Sequence, residues 1–257
     1  MPERITDLIF PGDIYCAGCG KPIRRGQLYS LCSECIDSIT WANRRTCRIC
    51  GKPLESWYPS DVCSGCTGAV RHTDGGVVCF IYQGCVREMI HALKYSGRAY
   101  LARILGQILA DKITYERLGF DICIPVPMFA EKEEKRGYNQ AELIARFMCE
   151  ILGKPCRQEL LVRTRDTAPM NRLSAKARSR NIKGAFSVPE KYESILEGKT
   201  VLLVDDIYTT GSTVNTCAAE LKRAGASKVF TAVMASGRNQ RRLPEKKDAA
   251  EVPGYKP

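Results

Sequence analysis

The sequence predicts an α/β fold: a parallel sheet flanked by helices, with a cysteine-rich segment in front of it. Three observations carry that prediction. Strand-like apolar runs alternate with amphipathic helical stretches between residues 77 and 236, the order that builds a parallel sheet. One run, Val201-Leu202-Leu203-Val204, meets two adjacent acids, Asp205 and Asp206, then a hydroxyl-rich loop, Thr209-Thr210-Gly211-Ser212-Thr213, that feeds a helix. Eight of the fourteen cysteines lie before residue 67, in four Cys-x-x-Cys pairs.

A chain of 257 residues suits a core domain with an appendage. The stretch before Tyr15 has too short an apolar part for a secretory signal. No run approaches the roughly 18–20 apolar residues of a membrane span. A soluble, cytoplasmic chain without membrane insertion is expected, and in that reducing setting paired cysteines point to metal rather than disulfides.

The pairs are Cys16/Cys19, Cys32/Cys35, Cys47/Cys50 and Cys63/Cys66, with twelve residues between Cys19 and Cys32 and again between Cys50 and Cys63. The flanks repeat as well: Cys19-Gly20-Lys21-Pro22-Ile23 matches Cys50-Gly51-Lys52-Pro53-Leu54. A glycine after the second cysteine lets the backbone turn so that amides face the sulfurs. This is the pattern of a double zinc ribbon over residues 1–70, with two structural Zn²⁺ in closed tetrahedral thiolate sites. The duplication favours sequential pairing of the knuckles; a crossed pairing of first with third is the alternative. With few apolar runs, the segment depends on the metal for its folding energy, so chelation is expected to unfold it. Arg24, Arg25, Arg44, Arg45 and Arg48 suit nucleic-acid phosphates, while ribbons also serve as protein docking modules. The formal net charge of +11 falls to about +7 once eight thiolates hold two divalent ions. The surplus favours a polyanionic or phosphate-rich partner.

Downstream, Val77–Tyr82 reads as a strand and 85–113 as helix broken at Ser96-Gly97, with Lys94 either facing the helix dipole or contacting a ligand. Asp121–Pro127 reads as a short buried strand, Glu131–Arg136 as a charged loop, and about 140–152 as a helix. Lys228–Met234 supplies a further strand, and the polar tail 237–257 is predicted to be disordered. Cys79, Cys85, Cys123, Cys149, Cys156 and Cys217 lack ligand spacing and read as buried small hydrophobes. His72 and His91 receive no role.

The 201–213 stretch carries the chemistry. Ligands of open parallel sheets bind at the carboxyl ends of the strands. A loop entering a helix N-terminus offers free N–H groups and a positive dipole end, which suits phosphate. A carboxylate pair just upstream suits ribose hydroxyls. The segment resembles the PRPP-binding signature of type I phosphoribosyltransferases, with Tyr208 where an aliphatic residue is more usual. That resemblance implies a type I phosphoribosyltransferase core over 77–236. It places Mg²⁺·PRPP with its 5′-phosphate on Thr209, Thr210, Gly211, Ser212 and Thr213, and its ribose on the catalytic pair Asp205 and Asp206. The pyrophosphate would meet Val126, Pro127 and Met128, with Arg136 as a bidentate clamp. A basic loop, including Arg172, Lys176, Arg178 and Arg180, suits either closure over pyrophosphate or grip on a nucleic-acid backbone.

Taken with Phe10-Pro11, Ala92-Leu93-Lys94-Tyr95, Pro125-Val126-Pro127, Arg136-Gly137-Tyr138-Asn139-Gln140, Arg178 with Asn181, and Gly184-Ala185-Phe186, the chain resembles the ComF family of competence-associated proteins. The resemblance implies handling of incoming single-stranded DNA, alongside other DNA-uptake proteins such as a helicase. Two readings follow: a PRPP- and DNA-binding protein of DNA uptake, or an active phosphoribosyltransferase acting on an unidentified small-molecule acceptor.

Overall fold

The computed structural model describes residues 14–167, 182 and 184–238. A short helix α1 (Ser33–Ser38) lies in the cysteine-rich segment. Strand β1 (Gly75–Ile81) follows, then α2 (Gly84–Tyr95), α3 (Leu101–Tyr115), β2 (Ile122–Pro125), α4 (Ala130–Arg136) and α5 (Gln140–Leu152). The two-residue strands β3 (Val162–Arg163) and β4 (Phe186–Ser187) pair antiparallel. After α6 (Glu193–Leu196) come β5 (Thr200–Tyr208), α7 (Ser212–Arg223) and β6 (Lys228–Ser236).

The main sheet has the order β1-β6-β5-β2, with every pairing parallel. Its strands are near-continuous apolar runs because helices and ribbon cover both faces. On one face, Leu202, Val204, Ala232, Met234 and Cys123 share a core with Met89, Ile90, Leu105, Leu109, Ile144 and Met148 of α2, α3 and α5. On the other, Leu203, Val229, Val233 and Ile124 share one with Val214, Cys217, Ala218 and Leu221 of α7.

The cysteine repeat is divided between these two cores. Cys16, Ala17, Leu31 and Cys35 pack into the α2/α3 side, whereas Cys47, Cys50, Leu54, Tyr58, Cys63 and Cys66 pack into the α7 side. Lys112 of α3 holds the junction, donating to the carbonyl of Ala42 at 2.9 Å and to Oδ1 of Asn43 at 3.0 Å. Gly51 shows how close the second ribbon sits. Its φ is +69°, and a Cβ there would lie 2.4 Å from the Gly76 carbonyl oxygen of β1. Gly51→Ala combines left-handed strain with a backbone clash, so it is expected to cost about 2–4 kcal/mol. Urea denaturation of the two proteins measures this.

Two local expectations change. Glu131–Arg136 is helical, not a loop. Glu131 and Glu133 fall in the first turn of α4, Lys135 and Arg136 in the last, and Gly137 at φ 87° closes it, the charge order that a helix dipole favours. The strand of the acid pair also runs further than its apolar run. Asp205 pairs with Val233, Ile207 with Ala235 and Tyr208 with Ser236, so the acids are strand residues rather than the first residues beyond it. The basic-loop residues Arg172, Lys176, Arg178 and Arg180, and the tail from residue 239, lie outside the described residues.

Candidate functional site

Strand alternation sends the neighbouring side chains Asp205 and Asp206 to opposite faces, yet cations act on both. Asp206 is only 4% exposed, and its Oδ2 lies 2.8 Å from Nζ of Lys94, in the last turn of α2. Burial works against the Lys94 ammonium, but Asp206 and then Asp205 outweigh it and raise its pKa. Asp205 is half-buried, and its Oδ1 accepts the Asp206 backbone N–H at 2.8 Å. Burial, reinforced by the Asp206 charge, pushes its carboxyl up to about 7; Lys94 and Arg163 pull the other way. Arg163 of β3 stacks on Phe186 and donates to Thr167. Burial lowers its pKa against the pull of Asp166 and Asp205.

The 126–128 segment is held beside the acids. The Val126 N–H donates to the Val204 carbonyl at 2.8 Å, and Asn139, the N-cap of α5, donates from Nδ2 to the Val126 carbonyl at 3.1 Å. Tyr138 donates to the Leu93 carbonyl, tying the end of α2 to the same place. Arg136 lies over the Tyr95 ring, 5.3 Å from its centroid, and donates to Gln140 Oε1. Lys94, 126–128 and Arg136 therefore gather around the carboxyl ends of β2 and β5.

The Thr209–Thr213 loop turns at Gly211, which has φ +76°; a Cβ there would stand 2.0 Å from the Tyr208 hydroxyl. Tyr208 thus forms the floor of the turn, and only glycine fits above it. Ser212 begins α7, and the Thr210 and Ser212 hydroxyls lie 2.8 Å apart. The N-terminal N–H groups of a helix, flanked by these hydroxyls, have the donor geometry that an anion requires.

The second ribbon buttresses this loop. Lys52 Nζ donates to the Thr209 carbonyl at 3.4 Å and Arg71 Nη2 to the Thr210 carbonyl at 3.3 Å. Asn215 of α7 accepts the His72 N–H at 2.8 Å and donates to the Val70 carbonyl at 3.3 Å. Burial raises the Tyr208 pKa, and the sulfurs of Cys50 and Cys66 add to the effect. The phenol therefore remains a protonated donor beside the ribbon. Between ribbon and loop lies a cavity of about 480 Å³, lined by Lys52, Arg71, Thr209, Thr210, Asn215 and Arg238 among others.

The eight ribbon cysteines form two sets, Cys16/Cys19/Cys32/Cys35 and Cys47/Cys50/Cys63/Cys66, each with all sulfurs within 4.8 Å. The pairing is sequential. The Cys19–Cys32 and Cys50–Cys63 sulfurs are 3.8 and 3.7 Å apart, close to the ~3.8 Å edge of a tetrahedron with zinc–sulfur bonds of about 2.3 Å. The Cys32 and Cys63 N–H groups point to the sulfurs of Cys16 and Cys47 at 3.3 Å, and Gly20 and Gly51 take positive φ to allow the turn. These residues fit structural zinc.

Thus Asp205, Asp206, Val126–Met128 and Arg136 share one end of the sheet with the 209–213 loop. Two residues not assigned from sequence complete the charge balance: Lys94 and Arg163. Lys94 stands at the end of an amphipathic helix, but its partner is 112 positions away in the chain, so pattern alone could not choose between dipole and ligand.

Comparison with known proteins agrees with this architecture. Residues 5–67 match the double zinc ribbon domain and 141–254 the phosphoribosyl transferase domain. The chain is 34% identical over 153 residues to the DNA utilization protein YhgH of Escherichia coli, covering 58% of this chain and 66% of that protein. It is 31% identical over 146 residues to competence protein F of Haemophilus influenzae, covering 55% and 63%. To competence protein ComFC of Bacillus subtilis it is 27% identical over 161 residues, covering 60% and 62%. The first-matched relative, YhgH of Salmonella typhi, is spanned over 63% of its length. Among solved structures, a glutamine PRPP amidotransferase from B. subtilis aligns with TM-score 0.36 and 21% identity, over 53% of this chain and 26% of that one. Among the described residues, no helix is long and apolar enough to cross a membrane.

Proposed function

For a chain that joins a double zinc ribbon to a phosphoribosyl transferase domain and is homologous to the ComF-type competence proteins, we propose a PRPP-binding protein that also grips single-stranded DNA during DNA uptake. The observation that carries the reading is the juxtaposition of Asp205 and Asp206, charge-balanced by Lys94 and Arg163, with the Gly211 anion cradle at the carboxyl end of a parallel sheet.

In this reading the 5′-phosphate sits on the N–H groups and hydroxyls of Thr209–Thr213. The ribose hydroxyls donate to Asp205 and Asp206. The pyrophosphate, as its Mg²⁺ complex, would meet Val126–Met128 and Arg136, whose guanidinium can donate to it bidentately. Lys94 holds the Asp206 side chain in place through their ion pair. If transfer to an acceptor occurs, these groups position the sugar and stabilise charge developing at C1 and on departing pyrophosphate. The DNA backbone would follow the cations beside the loop, Lys52 and Arg71, and the sequence offers Arg172, Lys176, Arg178 and Arg180 as further phosphate contacts. The names of the relatives, which refer to competence and DNA utilization, support the same role.

The test is fluorescence anisotropy of a labelled single-stranded oligonucleotide, with and without saturating Mg²⁺·PRPP. Displacement by PRPP is the expected result and indicates a shared phosphate-reading site. Absence of any DNA binding would turn the reading toward phosphoribosyl transfer to a small molecule.

The Asp205 carboxyl sets a pH dependence. The free site holds its proton up to about pH 7, while ribose hydroxyls and Mg²⁺ favour the carboxylate. PRPP affinity is therefore expected to rise with pH and level off above 7, falling about tenfold per unit below it. Stability runs the other way. Between the ordinary value of 3.8 and about 7, the folded state binds more protons than the unfolded chain. This group's contribution to stability is thus present below 3.8 and lost as pH rises through 7. Calorimetric titration from pH 5.5 to 8.5, with parallel urea melts of free protein, reads both slopes.

A further inference from the structure

Three cysteines with no shared spacing in the sequence converge away from the site described above. Cys123 lies on the edge strand β2, Cys149 in the third turn of α5, and Cys156 after the turn that ends it. Gly153, left-handed at φ 62°, caps α5 and reverses the chain. The returning segment then docks on β2 as one further parallel bridge. The Cys123 N–H donates to the Pro155 carbonyl and the Arg157 N–H to the Cys123 carbonyl, both at 2.9 Å. This clamp sets Cys156 directly beside Cys123. The three sulfurs lie within 4.8 Å of one another, and all three cysteines are free thiols.

We propose that Cys123, Cys149 and Cys156 form a third metal site, a three-sulfur site for a soft monovalent d¹⁰ ion of the Cu(I) type, distinct from the two ribbon sites. Ligand number argues for that class. Structural zinc calls for four ligands. Among the described residues this cluster supplies three sulfurs, and no histidine, aspartate or glutamate ligand atom joins them. Sulfur-only coordination selects soft ions. A three-coordinate ion with metal–sulfur bonds of about 2.3 Å sets its sulfurs about 4 Å apart, within the spread observed. Access is graded. Cys123 and Cys149 are 0% and 3% exposed, while Cys156 is half-exposed and offers the point of entry. The backbone at two of the three positions is fixed by the β2 bridge and at the third by a helix, so the sulfurs are held in place without a metal.

The test uses the full chain with its zinc, under argon, titrated with Cu(I) buffered by bicinchoninate. Zinc release is followed with a chromogenic indicator. We expect uptake of one equivalent of Cu(I) with no zinc release and a thiolate-to-copper absorption band. Cys156→Ser and Cys149→Ser should retain both zinc ions and lose Cu(I) affinity by about a hundredfold or more, whereas Cys79→Ser, at a buried cysteine outside the cluster, should behave as wild type. Uptake matched by zinc release would mean that copper enters the ribbons and would overturn the proposal, whatever the variants do. Undiminished uptake by a folded Cys156→Ser protein would overturn it equally.

Discussion

Cys50→Ser is expected to reduce bound zinc from two ions to one and to weaken PRPP binding by at least about a hundredfold, although Cys50 would touch no part of the ligand. Cys50 is 2% exposed and belongs to the core that includes Val201, Leu203 and α7. Its knuckle positions Lys52 and lies against Tyr208, the floor of the Gly211 turn. A structural zinc site supplies on the order of 10–16 kcal/mol to local folding. Its loss would release the ribbon from the Thr209 and Thr210 carbonyls and from Asn215 together. The sequence predicts that chelation unfolds the N-terminal segment; the packing extends that damage to the Thr209–Thr213 loop. Cys19→Ser offers the contrast, because the first ribbon packs on the α2/α3 side. Zinc content by atomic absorption and Mg²⁺·PRPP affinity by calorimetry, measured on both variants, check this. Wild-type affinity in a one-zinc Cys50→Ser protein would show that ribbon and loop are uncoupled.

Asp205→Asn combined with Asp206→Asn is expected to abolish PRPP binding while leaving single-stranded DNA affinity intact or higher, since two negative charges leave a site that meets phosphates. Asp206→Asn, alone or in that pair, carries a further cost. It strands Lys94, whose side chain is 17% exposed, and breaking a buried pair in this way costs about 3–5 kcal/mol. Lys94→Met with Asp206→Asn should recover much of that stability without recovering PRPP binding. Urea melts report the first effect and calorimetry the second. If stability and binding returned together, Asp206 would be a structural partner of Lys94 and no ligand for ribose.

Much of the site was legible in the sequence because its parts are local. Strand, acid pair, hydroxyl loop and helix follow one another within Val201–Arg223, and turn chemistry at Gly211 is a property of that short stretch. The knuckles were legible for the same reason: each cysteine pair spans four residues, and Gly20 and Gly51 directly follow the first and third pairs. The charged run 131–136 was harder. Its polar composition hides a helix whose ends are set by charge order and by Gly137.

By itself, the sequence determined which groups are present and much of their local geometry: thiolate knuckles, a hydroxyl-rich turn at a helix N-terminus and a carboxylate pair where an apolar run ends. Only the tertiary structure decided what those groups face. It split the tandem ribbon across both faces of the sheet and set Lys94 against Asp206. It also rested the Thr209–Thr213 loop on the second ribbon and brought Cys123, Cys149 and Cys156 together from separate elements. The physical reason is that periodicity and turn chemistry act over a few residues. Partners across a sheet are instead selected by how apolar faces close on one another, and that closure is a property of the whole chain.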